Sequence, residues 1–235
     1  MEIISGQKLP ASEQPLIARN LSRRNFLRFA GITGASAALI ITGCGKDDSN
    51  DMLTDGVNLG SGDTGILNYA FALEQLEAAF YTRVAESPYG NISALERQYF
   101  EEIRDHEIAH RELFKKALGN NAIGNLEVDF SSVNFSNRDS VLATAKAFED
   151  LGVSAYNGAG KLLTNPDYLL LAGKIVSVEA RHAALVRDLI ANGSFADNTI
   201  VDANGLDRSL NPSEVLMAAA PFVKTKINAS GLPTN

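Results

Sequence analysis

Apolar residues recur at helical spacing over four long stretches of this chain, and proline, glycine and asparagine separate those stretches. The first runs from about Thr64, with Asp63 as its predicted N-cap, to about Ser87, where Pro88 stops it. Leu67, Ala70, Phe71, Glu74, Ala78 and Tyr81 fall along one stripe of it. The second opens on a capping box, Ser93 with Glu96, and continues to Leu118 before Gly119 and Asn120. The short link through Pro88 makes these two helices antiparallel neighbours. The third runs from about Ser140, behind Asp139, to Leu163; the fourth opens on Asn165 and Pro166, continues to about Asn192 and closes on Gly193. Residues 119–138 hold only isolated apolar positions, Val128, Phe130, Val133 and Phe135. An extended chain covers about 3.3 Å per residue against about 1.5 Å for a helix, so this stretch can cross the whole length of a bundle. A last helix start, Asn211-Pro212-Ser213-Glu214, leads into an apolar run at 215–220 that should pack on the outside. The pattern predicts an all-α fold: four helices with a long crossover between the second and third, plus a short C-terminal helix.

Four of the stripes are broken by the wrong kind of residue. Glu74 and Glu149 are isolated mid-helix glutamates in the first and third helices, and the second and fourth each carry Glu-x-x-His, Glu107 with His110 and Glu179 with His182. These two pairs use two of the three histidines. The halves of the chain also repeat: Ala72-Leu73-Glu74-Gln75-Leu76-Glu77-Ala78-Ala79-Phe80-Tyr81 aligns without a gap to Ala147-Phe148-Glu149-Asp150-Leu151-Gly152-Val153-Ser154-Ala155-Tyr156. Counting from the predicted helix ends places the two glutamates of each hairpin at one height. A glutamate and a histidine three apart share a helix face, so one such pair can bring an oxygen and a nitrogen to one metal ion. A single Glu-x-x-His is more often a solvated face. Here the neighbours are apolar, and four carboxylates cannot stay ionised together in a dry core without cations.

These residues carry a resemblance. The segments around Glu74, His106-Glu107-Ile108-Ala109-His110, Glu149 and Val178-Glu179-Ala180-Arg181-His182 resemble the ferritin-like superfamily, and within it exported ferritin-like domain proteins of the desiccation-related type, over about residues 60–223. The resemblance implies a ferritin-like four-helix bundle holding two metal ions, iron or alternatively manganese. Glu74 and Glu149 would come from the first and third helices, Glu107 and Glu179 would bridge, and His110 and His182 would be terminal. Tyr81 and Tyr156 point back toward the helix N-termini and are placed to hydrogen-bond ligand carboxylates; the alternative is a core aromatic satisfied elsewhere. Glu77, on the face of Glu74, is either an extra carboxylate as in a rubrerythrin-like site, or else a neighbour of the site or a surface residue; its repeat partner is Gly152. His106, four before His110, is either a neighbour of the site or, as its helix position favours, a surface histidine. The implied activity is oxidation of Fe(II) or reduction of peroxide or O2. A di-manganese catalase and a non-catalytic, metal-binding envelope stress protein are the alternatives. The chain lacks the paired cysteines of a rubredoxin domain, so a rubrerythrin-like electron supply would come from another protein.

The N-terminus reads as an address, not as fold. Arg23 and Arg24 form a twin arginine ahead of Phe26-Leu27; residues 29–43 are weakly apolar and too short to span a bilayer stably; Ile41-Thr42-Gly43-Cys44 resembles a lipoprotein box. The expectation is export by a twin-arginine route and a membrane anchor through lipid on Cys44, the chain's single cysteine. The predicted division is therefore signal 1–44, flexible tether 45–63, bundle 64–193 and tail 194–235. Losing residues 1–43 takes away five of the 21 basic and two of the 28 acidic residues, leaving a net charge of -10, which argues against nucleic acid as a partner.

Overall fold

The four predicted helices form: α1 (Gly62–Glu86), α2 (Ala94–Leu118), α3 (Arg138–Gly160) and α4 (Pro166–Ile190), followed by a short α5 (Pro212–Ala219) that packs against α3. The computed structural model describes residues 56–234; Arg23, Arg24 and Cys44 lie outside the described residues. α1·α2 and α3·α4 are the two antiparallel hairpins. Arg138, at the start of α3, donates to Glu96 at the start of α2 (2.8 Å) and to the carbonyl of Leu189 at the end of α4 (2.9 Å). α2 and α3 thus begin at the same end of the bundle, and the chain between them must travel its full length.

The helix starts differ from their predicted caps in informative ways. Ser61 takes the extended N-cap position of α1 (φ -137°, ψ 167°), so the helix begins before Asp63. Asp63 instead accepts hydrogen bonds from the backbone and hydroxyl of Thr164 (2.8 and 3.0 Å) and from the backbone of Asn165 (2.9 Å). It fastens the first helix to the turn between α3 and α4. Asn137, not Asp139, caps α3 by accepting from Ser140 N at 2.8 Å. Ser93 caps α2 as expected, accepting from Glu96 N at 3.1 Å, but the Glu96 carboxylate is occupied by Arg138. α4 ends at Ile190, short of Gly193, whose backbone N–H donates to Asp188 at 2.6 Å.

α1 is buried along most of its length because the crossover covers the side that the other helices leave open. Asn68 and Gln75, two turns apart on one face, hold that crossover. Asn68 donates to the carbonyls of Leu59 and Asn121 (3.0 and 2.9 Å) and accepts from Ile123 N (3.0 Å), while Gln75 accepts from Leu126 N (2.9 Å). The isolated crossover phenylalanines are half-buried and pack against the core: Phe130 and Phe135 each stand 5.8 Å from Phe80, centroid to centroid. A tether lasting to Asp63 is corrected too. β1 (Val57–Asn58) pairs in parallel with β2 (Ile227–Asn228), and Leu59 is fully buried. Glycine and aspartate around them hide the two apolar residues Val57 and Leu59 from a compositional reading.

α5 starts on a capping box formed by Asn211 and Glu214, as the tail motif predicts. Just before it, Leu210 N donates to Ser154 O of α3 at 3.0 Å. The approach needs a glycine: a Cβ on Gly158 would stand 1.7 Å from the Leu210 carbonyl oxygen. Gly158→Ala is therefore expected to cost about 1–3 kcal/mol by pushing the α5 segment off the bundle. Thermal melting checks it; an unchanged melting temperature would mean the segment is not held there.

Candidate metal centre

All six predicted ligands meet at mid-bundle. Glu74 comes from α1, Glu107 and His110 from α2, Glu149 from α3, and Glu179 and His182 from α4; the four glutamates are 0% exposed. They make two overlapping groups whose donor atoms lie within 4.8 Å of one another: Glu74, Glu107, His110 and Glu179 in one, Glu107, Glu149, Glu179 and His182 in the other. Glu107 and Glu179 belong to both. His110 Nδ1 is 2.9 Å from Glu179 and 3.4 Å from Glu74. His182 Nδ1 is 2.8 Å from Glu107 and 3.5 Å from Glu149. Each half therefore pairs the glutamate and the histidine of one repeat, with the two shared glutamates between them.

The tyrosines cross between repeats. Tyr81 of α1 donates to Glu149 Oε1 at 2.5 Å, and Tyr156 of α3 donates to Glu74 Oε1. One oxygen of each terminal glutamate is thereby satisfied and the other is left over. The buried atoms without a hydrogen-bond partner include Glu74 Oε2, Glu149 Oε2, both oxygens of Glu107 and of Glu179, and the Nδ1 of His110 and of His182. Eight inward-facing donors without partners are far more than a native core leaves unsatisfied. They divide into four for each half: one terminal oxygen, one oxygen from each shared carboxylate, and one nitrogen. That donor set fits two oxygen- and nitrogen-seeking divalent ions.

A family model described as ferritin-like domain matches residues 62–192. The chain belongs to the ferritin-like domain family. Comparison with curated proteins finds no match. In this ferritin-like bundle the centre lies between two apolar clusters, one with Leu67, Phe71 and Phe114, the other with Leu76, Phe80 and Phe100. Those clusters keep water from the carboxylates on both sides along the bundle axis.

Glu77 is buried beside the six but belongs to neither group. It occupies the space that its repeat partner vacates: a Cβ on Gly152 would lie 3.1 Å from Glu77 Oε1 and 3.8 Å from Glu179 Oε2. His106 unites the two readings the sequence left open for it. Although exposed, it is joined to the centre, its Nδ1 standing 2.9 Å from His182 Nε2. The sequence placed it four residues before His110, within reach of the site; that the neighbour it meets is His182 is settled by packing.

Without cations the centre balances itself with protons. Burial, then repulsion from Glu179, pushes Glu74 and Glu77 well above the usual carboxylate range. Burial also raises Glu149, to about 8, against the attraction of His182. Glu107 moves the other way, since the approach of His110 and His182 outweighs burial and brings it down to about 2. Burial would lower the two histidines, but the surrounding carboxylates overcome it and hold both up to about 12. Groups raised on folding stabilise the folded state below their unfolded pKa, and that contribution is lost as pH rises toward the folded one. For Glu149 the window runs from its ordinary 4.5 to about 8, and for the histidines from 6.5 to about 12. Glu107 acts oppositely, only between 4.5 and about 2. The chelator-treated protein should thus melt progressively lower from about pH 6 to about pH 9. A melting temperature flat or rising across that range would contradict the buried, protonated centre.

Proposed function

We propose that this chain is a di-iron redox protein of the cell envelope that oxidises Fe(II) with peroxide or O2. The observation that supports it most is the set of eight inward-facing donors, already divided four and four. Glu107 and Glu179 would bridge the ions, Glu74 with His110 would complete one half, and Glu149 with His182 the other. Bound there, two ferrous ions supply the two electrons that, with two protons, reduce one peroxide to two waters. The protein's own part is positioning and shielding. Tyr81 and Tyr156 each hold one oxygen of a terminal carboxylate so that the other faces inward, and the apolar clusters keep bulk water away. Loading must expel protons from Glu74, Glu149, His110 and His182, because each has to present a lone pair.

The test is metal analysis of the full-length chain, then stopped-flow absorbance with Fe(II) and peroxide. About two ions per chain are expected, with heats that depend on the buffer's ionisation enthalpy as protons leave. Glu107→Ala or Glu179→Ala should abolish the pair and slow Fe(II) oxidation more than about 100-fold, because each removes a donor from both halves. A single ion, or none, in the wild type would defeat the dinuclear reading. Oxygen released from peroxide by manganese-loaded protein would reassign it as a catalase, and full occupancy without turnover would make it a metal-binding stress protein.

The envelope location rests on Arg23-Arg24 and on the Ile41-Thr42-Gly43-Cys44 box. Lipid on Cys44 would tether the bundle to a membrane. Replacing Arg23 and Arg24 together by lysine should block export, and Cys44→Ser should release the protein from the membrane fraction once its signal is removed. Continued membrane fractionation of that processed Cys44→Ser protein would refute the anchor.

A further inference from the structure

We propose that His106 is a positioning residue for His182 and that it makes the two halves of the centre unequal, the Glu149–His182 half holding a divalent ion more tightly than the Glu74–His110 half. This rests on the metal-binding reading above and goes beyond it. The two imidazoles lie edge to edge across the gap between α2 and α4, nearly coplanar, with centroids 5.2 Å apart and planes within 11°, and the 2.9 Å contact joins His106 Nδ1 to His182 Nε2. His182 meanwhile turns its Nδ1 inward, 2.8 Å from Glu107. A neutral imidazole has one donor and one acceptor nitrogen. If Nδ1 of His182 is to give its lone pair to a metal, its proton must sit on Nε2 and be donated outward. His106 Nδ1 is the acceptor at that position, so His106 carries its own proton on Nε2. The contact fixes both the tautomer and the tilt of the His182 ring, and an outward hydrogen bond of this kind makes a ligand imidazole more basic.

The repeat shows that the device is present on one side alone. Aligning Glu107-x-x-His110 with Glu179-x-x-His182 sets His106 opposite Val178. A valine side chain has no acceptor, so the equivalent position gives His110 nothing to donate to. The two halves share Glu107 and Glu179 and have matched terminal glutamates and tyrosines. The difference at His106 and Val178 therefore falls on the histidine ligands themselves.

Cobalt(II) titration of the chelator-treated full-length chain, read by calorimetry and by the d–d absorbance of the bound ion, tests this. The wild type should take up two ions in two unequal steps. His106→Ala should weaken the tighter step about 10–100-fold, alter the absorbance of the first ion bound and leave the weaker step unchanged. His106→Asn, whose Oδ1 can stand where the imidazole Nδ1 stood, should restore both the affinity and the spectrum. Because His106 is exposed, neither change opens a hole in the core. Two equal steps in the wild type, unchanged affinities in His106→Ala, or equal losses in the Ala and Asn variants would each overturn the proposal. In all three outcomes cobalt still binds, so the dinuclear reading survives. A wild type that binds no cobalt overturns that reading, and the role of His106 with it.

Discussion

Four glutamates without solvent exposure, converging in an apolar bundle, are the constraint around which the rest of this protein is arranged. Ionised carboxylates in such a place repel one another and lose their hydration, at a cost the core can bear only if positive charge is supplied. Protons on Glu74, Glu77 and Glu149 and two imidazolium rings supply it in the metal-free state. Divalent cations would supply it in a loaded one. The same residues thus make the empty bundle sensitive to pH, and any cation they bound would stabilise the fold by the same linkage.

Holding the six side chains level requires the bundle to be pinned at its ends, and the pins are polar. Asp63 ties the start of α1 to the α3–α4 turn, and Arg138 ties together the start of α2, the start of α3 and the end of α4. Asn68 and Gln75 anchor the crossover that seals α1. The contacts of Asp63 and Arg138 lie about three turns from the centre and those of Asn68 and Gln75 lie nearer to it, and a slip of one helix by one residue would shift a ligand by about 1.5 Å. Such a shift is comparable with the differences that separate a bound from an unbound donor.

Duplication gives the centre its near-symmetry, and two departures spoil it. Glu77 faces Gly152 where the repeat would place like against like, and His106 stands where the other half has Val178. Both departures adjoin the Glu149–His182 half or the shared Glu179. A pseudo-twofold scaffold carrying one-sided additions is a simple physical route to two metal positions that differ in affinity and reactivity.

The amino-acid sequence by itself determined the helices, their antiparallel pairing and the six candidate ligands, because helical periodicity, local stop signals and Glu-x-x-His spacing are properties of neighbouring residues. It also placed Tyr81 and Tyr156 near the carboxylates, since seven residues from each glutamate is two turns along the same face. The tertiary structure decided what depends on partners distant in the chain. It diverted Asp63 from capping to tying a turn, ended the tether at Val57 by pairing it with the far C-terminus, and laid the scattered Phe130 and Phe135 against the core. It also set the exposed His106 against His182, because which helix edges face each other is set by packing angle and not by spacing. Glu77 is the clearest case: its place on the face of Glu74 was legible, but its burial beside the site follows from a glycine across the bundle that leaves room for it.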